Sequence, residues 1–403
     1  MSTPEERAAL VVCERLRALG HQAYFAGGAV RDRLLGRPAS DVDVATSAPP
    51  EEVRRAFKRT IPVGIQFGIV IVLQDQHKIE VATFRVDGDY QDGRRPSSIT
   101  FSSAEEDARR RDFTVNGLFW DPVEDRVLDW VGGVADIARG LVRAIGDPDA
   151  RFDEDKLRIL RAPRFAARLG FQLHPATAAA ARRRAAEVAV VSPERIHQEL
   201  VKVLESPTRA RGVALCRELG LLPVVLPEVG PDAARAERAL GLLPPGASRE
   251  LAWAALLHLA GPEATDAALR RLRASNQERE LAAALVAALP AARGLCELSV
   301  AEQQRLLRRP EWEHVPALLR ATALAGEGDL EPCRYLRARQ AAYAADLSPA
   351  GLRAPPLVKG ADLQGAGLRP GPSFGRILAA VEAAQLEGRV RTRDEALELA
   401  LRS

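Results

Sequence analysis

The sequence has few cysteines and no long hydrophobic run, and each absence excludes a class of protein. Its four cysteines lie far apart without a Cys-x-x-Cys pair, which argues against a disulfide framework or a zinc site and favours a reducing cytoplasm. The longest apolar runs reach about half of the roughly 20 residues that a membrane span requires. The first residues lack the basic start and apolar core of a signal peptide. We therefore expect a cytoplasmic protein without membrane association.

Lysine is also scarce, since it accounts for only five of the 57 basic residues, which indicates GC-rich coding bias. The 403 residues, 47% of them hydrophobic, suffice for two or three domains with cores of their own and exclude a disordered chain. Residues 1–150 contain 20 basic and 24 acidic side chains, whereas residues 151–403 contain 37 and 30. An acidic front suits a metal site and a basic back suits a polyanion, although coding bias weakens that inference.

Hydrophobic periodicity predicts two kinds of structure along the chain. Short β-rich runs alternate with amphipathic helices up to about residue 135, which predicts an α+β head with a small mixed or antiparallel sheet. After residue 147 the pattern is almost continuous helix, which predicts an all-α remainder. The predicted strands cover 23–26, 41–45, 69–73 and 78–84, the last two as a hairpin, and the predicted helices cover 5–20, 29–35 and 50–58.

A double glycine and a pair of aspartates form the first candidate site. Gly27 and Gly28 let backbone N–H groups approach a phosphate, and Arg31 follows one turn into the next predicted helix. Asp41 and Asp43 are two residues apart, so in a strand their carboxylates share one face. Two adjacent carboxylates repel unless a cation lies between them, and Mg²⁺ prefers such oxygen ligands. An ordinary turn with a solvated Asp-x-Asp is the alternative.

Two further segments carry polar groups among apolar ones. Glu80 lies in a strand candidate and could complete a trio of metal-binding carboxylates, or it could be an exposed strand residue. The segment 110–116 combines cations, an acid and an amide, and such a group could hold a triphosphate and a ribose hydroxyl or simply begin a charged helix. Its candidate residues are Arg110, Arg111, Asp112 and Asn116.

The segment 154–164 contains charged residues at helical spacing. On a helix, Arg158 is a neighbour of Asp155 at i,i+3 and of Glu154 at i,i+4. An Asp beside an Arg offers one acceptor and one donor, which match the pairing edges of adenine and cytosine but not those of guanine and uracil. Without further context, a surface salt-bridge ladder is the commoner meaning of this spacing.

Together these segments resemble the class II tRNA nucleotidyltransferases, the CCA-adding enzymes and bacterial poly(A) polymerases of the polymerase-β superfamily. The similar motifs are GGAVRDRLLG with DVD, then EVATFR, RRDFTVNGL and EDKLRILRAPRFAARLGF, in the family's order over about residues 22–205. The tail segments 367–375 and 385–388 are similar too. Two positions depart from the pattern: Gly117 stands where alanine is frequent, and Pro163, within the predicted helix, replaces an apolar residue.

The resemblance implies a role for each matching residue. Asp41 and Asp43 would hold catalytic Mg²⁺, with Glu80 as the third carboxylate, while Asp155 and Arg158 would select the incoming base, with Glu154 holding Arg158. The loop 86–100 would help to switch specificity from C to A, and the motif 192–195 would support the base-reading helix. The remaining nucleotide-binding residues would be Gly27, Gly28, Arg31, Arg110, Arg111, Asp112, Asn116, Arg161 and Arg164.

The resemblance also implies an architecture and an activity. The chain would form a nucleotidyltransferase head (1–147), a helical neck (148–205), a helical body (206–347) and a helical tail (348–403). It would add C, C and A to the 3′ end of tRNA from CTP and ATP, bind the acceptor arm of tRNA and need no protein partner. An enzyme that adds only A, a poly(A) polymerase and a catalytically dead RNA-binding module remain the alternatives.

Overall fold

The computed structural model describes residues 3–38, 41–63, 68–88, 99–345 and 355–402. Contacts between residues divide the chain after Pro227 into two compact units, which are considered separately below. The division into head, neck, body and tail concerns finer boundaries and remains a prediction. The part of the chain that the structure describes contains no helix long and apolar enough to cross a membrane.

The sheet that the sequence predicted forms the centre of the N-terminal part, and of the two forms left open, mixed or antiparallel, it is the mixed one. Among the described residues it has seven strands in the order β3-β4-β5-β2-β1-β8-β9, and only the β2–β5 pair is parallel. The predicted hairpin is the antiparallel pair β4–β5. The strands are β1 (Ala23–Ala26), β2 (Asp43–Thr46), β3 (Thr60–Ile61), β4 (Ile69–Gln74), β5 (His77–Thr83), β8 (Phe119–Asp121) and β9 (Arg126–Leu128).

Two small sheets lie outside this central sheet. The strands β6 (Arg85–Asp87) and β7 (Ile99–Phe101) pair antiparallel on either side of residues 89–98. Most of the predicted loop 86–100 therefore lies outside the described residues. A parallel pair joins β10 (Leu141–Val142) to β11 (Gln172–Leu173), so the described part of the region after residue 147, predicted to be all helical, contains one short strand.

Apolar side chains on alternate strand positions hold the first helices against the sheet. Val70 and Val72 of β4 are fully buried together with Ile79 of β5, and they pack with Leu16 from the first helix. Burial of such side chains stabilises a fold by about 25 cal/mol per Å² of apolar surface. The helices α1 (Pro4–Ala18), α2 (Gly28–Leu34), α3 (Pro50–Ala56) and α5 (Gly133–Arg139) contribute to this cluster, whereas α4 (Ala104–Arg109) packs with Ala26 and Ala45 in a separate one.

The helices after the sheet begin with a break that the sequence did not predict. The segment 154–164 was expected on one helix, but α6 ends at Glu154 and α7 begins at Leu157. Asp155 lies between them in extended conformation, with φ −145° and ψ 106°. Helix α7 continues unbroken past Pro163. The helices of this region are α6 (Pro148–Glu154), α7 (Leu157–Leu169), α8 (Pro175–Arg183), α9 (Pro193–Leu204), α10 (Arg209–Glu218) and α11 (Leu222–Val225).

The second unit is helical throughout its described residues. Trp253 is fully buried there, and its indole N–H donates to Glu278 over 2.6 Å, so the polar end of this large side chain is satisfied. Its helices are α12 (Ala233–Gly241), α13 (Arg249–Leu257), α14 (Pro262–Arg271), α15 (Asn276–Arg293), α16 (Val300–Leu307), α17 (Val315–Leu324), α18 (Glu331–Ala345), α19 (Gly360–Gly365), α20 (Pro372–Leu386) and α21 (Arg393–Arg402).

The start of α5 at Gly133 lies in close contact with the backbone at Thr114. Asp129 accepts the N–H groups of four residues from Val131 to Val134 at 2.8–3.0 Å, which satisfies donors that a helix start leaves unpaired. A Cβ atom at Gly133 would lie 2.2 Å from the carbonyl oxygen of Thr114. Glycine is therefore required at this position.

We predict that Gly133→Ala destabilises the protein by about 1–3 kcal/mol, because the methyl group would force the two backbone segments apart. Urea unfolding would measure the change. Gly375→Ala is the matched control, since Gly375 lies within α20 and a Cβ atom there would meet nothing within 4 Å. Equal stability of the two variants would contradict the prediction.

Candidate active site

A cavity of about 680 Å³ in the N-terminal unit collects the residues that the sequence singled out. Of the fifteen predicted site residues, all except Glu154 line it. Their meeting in one cavity agrees with a shared site, while their individual roles remain predictions. The cavity wall carries nine basic side chains against six acidic ones, so it suits a ligand with several negative charges.

Three carboxylates form the acidic side of the cavity. Asp43 begins β2 and Asp41 precedes that strand, while Glu80 lies on the neighbouring strand β5. Because Val44 is paired with Val81 between these parallel strands, Asp43 and Glu80 immediately precede a matched pair of residues. Glu80 therefore lies on the strand next to that of Asp43, as the sequence predicted.

Asp43 shows the electrostatic strain of this arrangement. Its side chain is accessible from the cavity, but the surrounding protein displaces water from it, and the charges of Glu80 and Asp41 add to this effect. Together they raise the pKa of Asp43 to about 6, against the opposing charge of Arg111. A cation bound between the carboxylates would relieve this repulsion. In the described residues, however, no three acidic, His or Cys side chains already converge on one metal position.

Gly27 brings the backbone close to the guanidinium of Arg111, which lines the same cavity. Its φ of +70° lies in the region that favours glycine, and a Cβ atom there would lie 2.9 Å from Nη1 of Arg111. Gly28 follows as the first residue of α2, and Arg31 lies on the same helix. The double glycine thus allows the backbone, Arg31 and Arg111 to face one space.

Buried polar contacts connect Arg31 to the beginning of α7. The Nη1 group of Arg31 donates to Asn116 over 2.6 Å, and the Asn116 amide donates to Asp112 over 3.0 Å. The other carboxylate oxygen of Asp112 accepts from Nε and Nη2 of Arg161 at 2.9 and 2.7 Å. Asp112 and Asn116 were predicted to contact the nucleotide, but these contacts show that they also position two arginines.

The charge of Asp112 depends on these partners. Burial opposes ionisation, but Arg161 and the Asn116 amide lower the pKa of Asp112 below its ordinary value, with further contributions from Arg158 and the Phe113 N–H. Because the carboxylate has partners on both oxygens, its charge is stable inside the protein.

The predicted base-reading pair lies at the junction of α6 and α7. Arg158 donates from Nη1 to Glu154 over 2.5 Å and to the Arg151 carbonyl over 3.0 Å, and from Nη2 to the Arg110 carbonyl over 3.1 Å. Asp155 accepts from Arg195 over 2.7 Å and from the Leu157 N–H over 3.1 Å. Glu154 therefore holds Arg158 as expected, and the motif 192–195 supports Asp155 directly.

Several cavity residues were not identified from the sequence. The guanidinium groups of Arg31, Arg161 and Arg164 lie 5.7, 5.4 and 4.0 Å from the ring centre of Phe165. Arg164 also donates to the buried Glu199 over 2.5 Å. Phe165 could have been noticed in the sequence because it immediately follows Arg164. Glu199 lies 35 residues from Arg164, so their contact has no local signal. Arg85, Arg168 and Lys202 also line the cavity.

Comparison with known proteins agrees with this fold. Residues 23–143 match the family model described as the poly A polymerase head domain, and residues 170–232 match the probable RNA and SrmB binding site of polymerase A. A CCA-adding enzyme of Geobacillus thermodenitrificans is 43% identical over 290 residues, covering 72% of this chain and 71% of that protein. One of Streptococcus sanguinis is 36% identical over 389 residues, covering 95% and 94%.

Solved structures give the same result for the fold. The crystal structure of the Bacillus stearothermophilus CCA-adding enzyme in complex with CTP is similar with a TM-score of 0.81, at 34% identity, covering 99% of this chain and 98% of that one. A Thermotoga maritima CCA-adding enzyme complexed with tRNA has a TM-score of 0.69 at 19% identity. The fold and the cavity define a nucleotidyltransferase with a poly(A)-polymerase-type head. Within that class, the chain belongs to the CCA-adding enzyme family.

The lowered pKa of Asp112 predicts a specific dependence of stability on pH. Because the folded-state pKa lies below the unfolded-state value of about 3.9, the carboxylate stabilises the fold above that pH, and this contribution is lost as the pH falls through the folded-state pKa. We expect Asp112→Asn to lose about 3 kcal/mol of stability at pH 7 and to show a weaker acid dependence than wild type. Urea unfolding between about pH 7 and 3 would test this. Parallel curves for the two proteins would contradict it.

Proposed function

We propose that this protein completes tRNA by adding C, C and A to its 3′ end from CTP and ATP, with release of pyrophosphate. The observation that carries the proposal is a single cavity lined by Asp41, Asp43 and Glu80, by several arginines, and by Asp155 and Arg158. Family membership supports the same activity, because CCA-adding enzymes are among the relatives that match 72% and 95% of the chain. We further propose the cytoplasm as its location, in keeping with its free cysteines.

A divalent metal fits the acidic side of the cavity. Asp41 and Asp43 would hold Mg²⁺ and Glu80 would assist, because this ion prefers hard carboxylate oxygens. Burial is the largest cause of the raised pKa of Asp43, and repulsion from Glu80 and Asp41 adds to it, so a bound cation would favour the charged form. When bound, the metal would make the 3′-hydroxyl of the primer more acidic and neutralise charge on the leaving pyrophosphate. The chain therefore needs no nucleophile of its own in this proposal.

The basic side of the cavity would hold the triphosphate. Arg31 is buried and held by Asn116, so its guanidinium is oriented before a ligand arrives. Arg111 lies against Gly27, where the absence of a Cβ atom leaves room for both the backbone and the guanidinium. Charge-assisted hydrogen bonds from such fixed donors to phosphate oxygens are stronger than bonds between neutral groups.

Base selection would use the atoms that Asp155 and Arg158 leave available. Within the described residues, Arg158 uses three of the five N–H groups of its guanidinium, so two could donate to N3 of cytosine or N1 of adenine. A carboxylate has about four acceptor positions, and Asp155 uses one on each oxygen. It could therefore still accept the amino group of the base. Guanine and uracil present the reverse pattern.

Three tRNA transcripts distinguish the proposed activity from its alternatives. With transcripts that end before CCA, after the first C and after CC, we expect the protein to complete each one from CTP and ATP with Mg²⁺ and then stop. Radiolabelled products separated on a gel would show the added residues. Asp43→Ala is the control and should lose transfer by more than about 1,000-fold while retaining tRNA binding, because it removes a metal ligand.

Other product patterns would contradict the proposal. Addition of A to the CC-ended transcript alone would indicate an A-adding enzyme, and unlimited A addition to any RNA would indicate a poly(A) polymerase. RNA binding with no transfer by the wild-type protein would indicate a binding module without activity.

Replacement of the base-reading residues should relax nucleotide choice. Asp155→Ala and Arg158→Ala should each reduce the preference for CTP over UTP by about tenfold or more, because each variant loses one side of the hydrogen-bond pattern that rejects the wrong base. Single-nucleotide incorporation with each NTP would measure this preference. Unchanged discrimination together with normal tRNA affinity would show that these residues do not select the base.

A further inference from the structure

A buried carboxylate outside the predicted site holds two of the arginines that line the cavity. Asp107 lies on α4, is 2% exposed and does not itself line the cavity. Its Oδ1 atom accepts from Nε and Nη2 of Arg110 at 2.9 and 2.6 Å. Its Oδ2 atom accepts from Nε and Nη2 of Arg111 at 3.2 and 3.0 Å. Each arginine thus directs two N–H groups at one oxygen of the same carboxylate.

The backbone around Asp107 fixes this carboxylate in place. Helix α4 begins with a capping box, in which the Ser103 hydroxyl accepts the Glu106 N–H and the Glu106 carboxylate accepts the Ser103 N–H. The Arg85 N–H also donates to Oδ1 of Asp107 over 3.3 Å. The arginines follow three and four residues later, which places them on the same side of the helix.

Other contacts show where the two guanidinium groups are held. Arg110 donates from Nε to the Arg85 carbonyl over 3.0 Å. Arg111 lies 4.8 Å from the ring centre of Phe119, and its Nη1 atom is the group that a Cβ atom at Gly27 would approach to 2.9 Å. Asp107 therefore determines where a cation lies against the double-glycine turn, which it does not touch.

The charge balance favours this arrangement over an independent placement of each arginine. Two neighbouring guanidinium groups repel one another, and one carboxylate between them removes much of that repulsion. Burial alone would oppose the charge of Asp107, but Arg111 and Arg110 lower its pKa below the ordinary value. The group is therefore an anion that holds two cations beside the cavity.

We propose that Asp107 is a positioning residue for nucleotide transfer, whose carboxylate holds Arg110 and Arg111 in the geometry that receives the triphosphate of the incoming nucleotide. This inference rests on the proposed function, since it assigns the two arginines to the triphosphate. The proposed role of Asp107 differs from that of a purely structural ion pair in one measurable respect. Loss of Asp107 should weaken triphosphate binding more than it lowers stability or tRNA affinity.

The experiment compares Asp107→Asn with Glu105→Gln in the full-length protein. Asparagine keeps the size of the side chain but removes the charge and one acceptor oxygen. Glu105 is the matched control, because it lies on the same helix and pairs with Arg109 at i,i+4 over 2.7 Å, but both side chains are exposed. Binding of inorganic tripolyphosphate with Mg²⁺, measured by calorimetry, reports on the triphosphate alone, without base, sugar or tRNA.

We expect Asp107→Asn to weaken tripolyphosphate binding by about 10- to 100-fold, in line with the loss of charge-assisted hydrogen bonds that orient two cations. The KM for CTP and for ATP should rise by a similar factor, while the KM for tRNA and the choice of base change less than about twofold. Glu105→Gln should leave all of these values within about twofold of wild type.

Thermal unfolding of each variant shows whether the comparison is valid. Should Asp107→Asn fail to fold, Asp107→Glu keeps the charge but moves the carboxylate by one methylene group, and we expect it to weaken tripolyphosphate binding by about three- to tenfold. Unchanged tripolyphosphate binding in a folded Asp107 variant would overturn the positioning role, whatever the activity of the wild type. A selective loss of tripolyphosphate binding would support that role even if the wild type failed to extend tRNA, an outcome that would overturn only the proposed function.

Discussion

Neutralisation of arginine by buried carboxylates is the constraint on which the cavity depends. Arg161 is held by Asp112, Arg164 by Glu199, and Arg110 with Arg111 by Asp107. A buried charge is costly unless it is paired, and a cluster of free guanidinium groups would repel itself. By pairing the arginines with acids, the protein keeps fixed cations at the cavity without leaving those charges uncompensated.

These ion pairs orient side chains more than they stabilise the fold. Desolvation offsets much of the attraction within a buried pair, so the larger part of the stability comes from apolar burial, as in the sheet layer around Leu16 and Ile79. The same pairs give the cavity its form before any ligand binds. Such preorganisation reduces the ordering that binding requires, because donors such as Arg31 already point in one direction.

Local pattern was sufficient for most elements of the fold. The short strand predicted at 23–26 is β1, and the hairpin β4–β5 followed from two β-rich runs with a polar link. The break between α6 and α7 escaped prediction because helical spacing continues across it, whereas Asp155 leaves the helix to accept from Arg195 and the Leu157 N–H. A contact across 40 residues has no local signal that periodicity could detect.

The sequence by itself determined the α+β head, the mainly helical remainder and most of the residues that meet in the cavity, because periods of two and 3.6 and short polar motifs are local properties of the chain. Only the tertiary structure decided how those residues are held. Glu199 behind Arg164, Phe165 among three guanidinium groups and the register that places Glu80 beside Asp43 all depend on the packing of distant segments. Asp107 lies between these cases. Its spacing from Arg110 and Arg111 can be read from the sequence, but its burial depends on the packing of the folded chain.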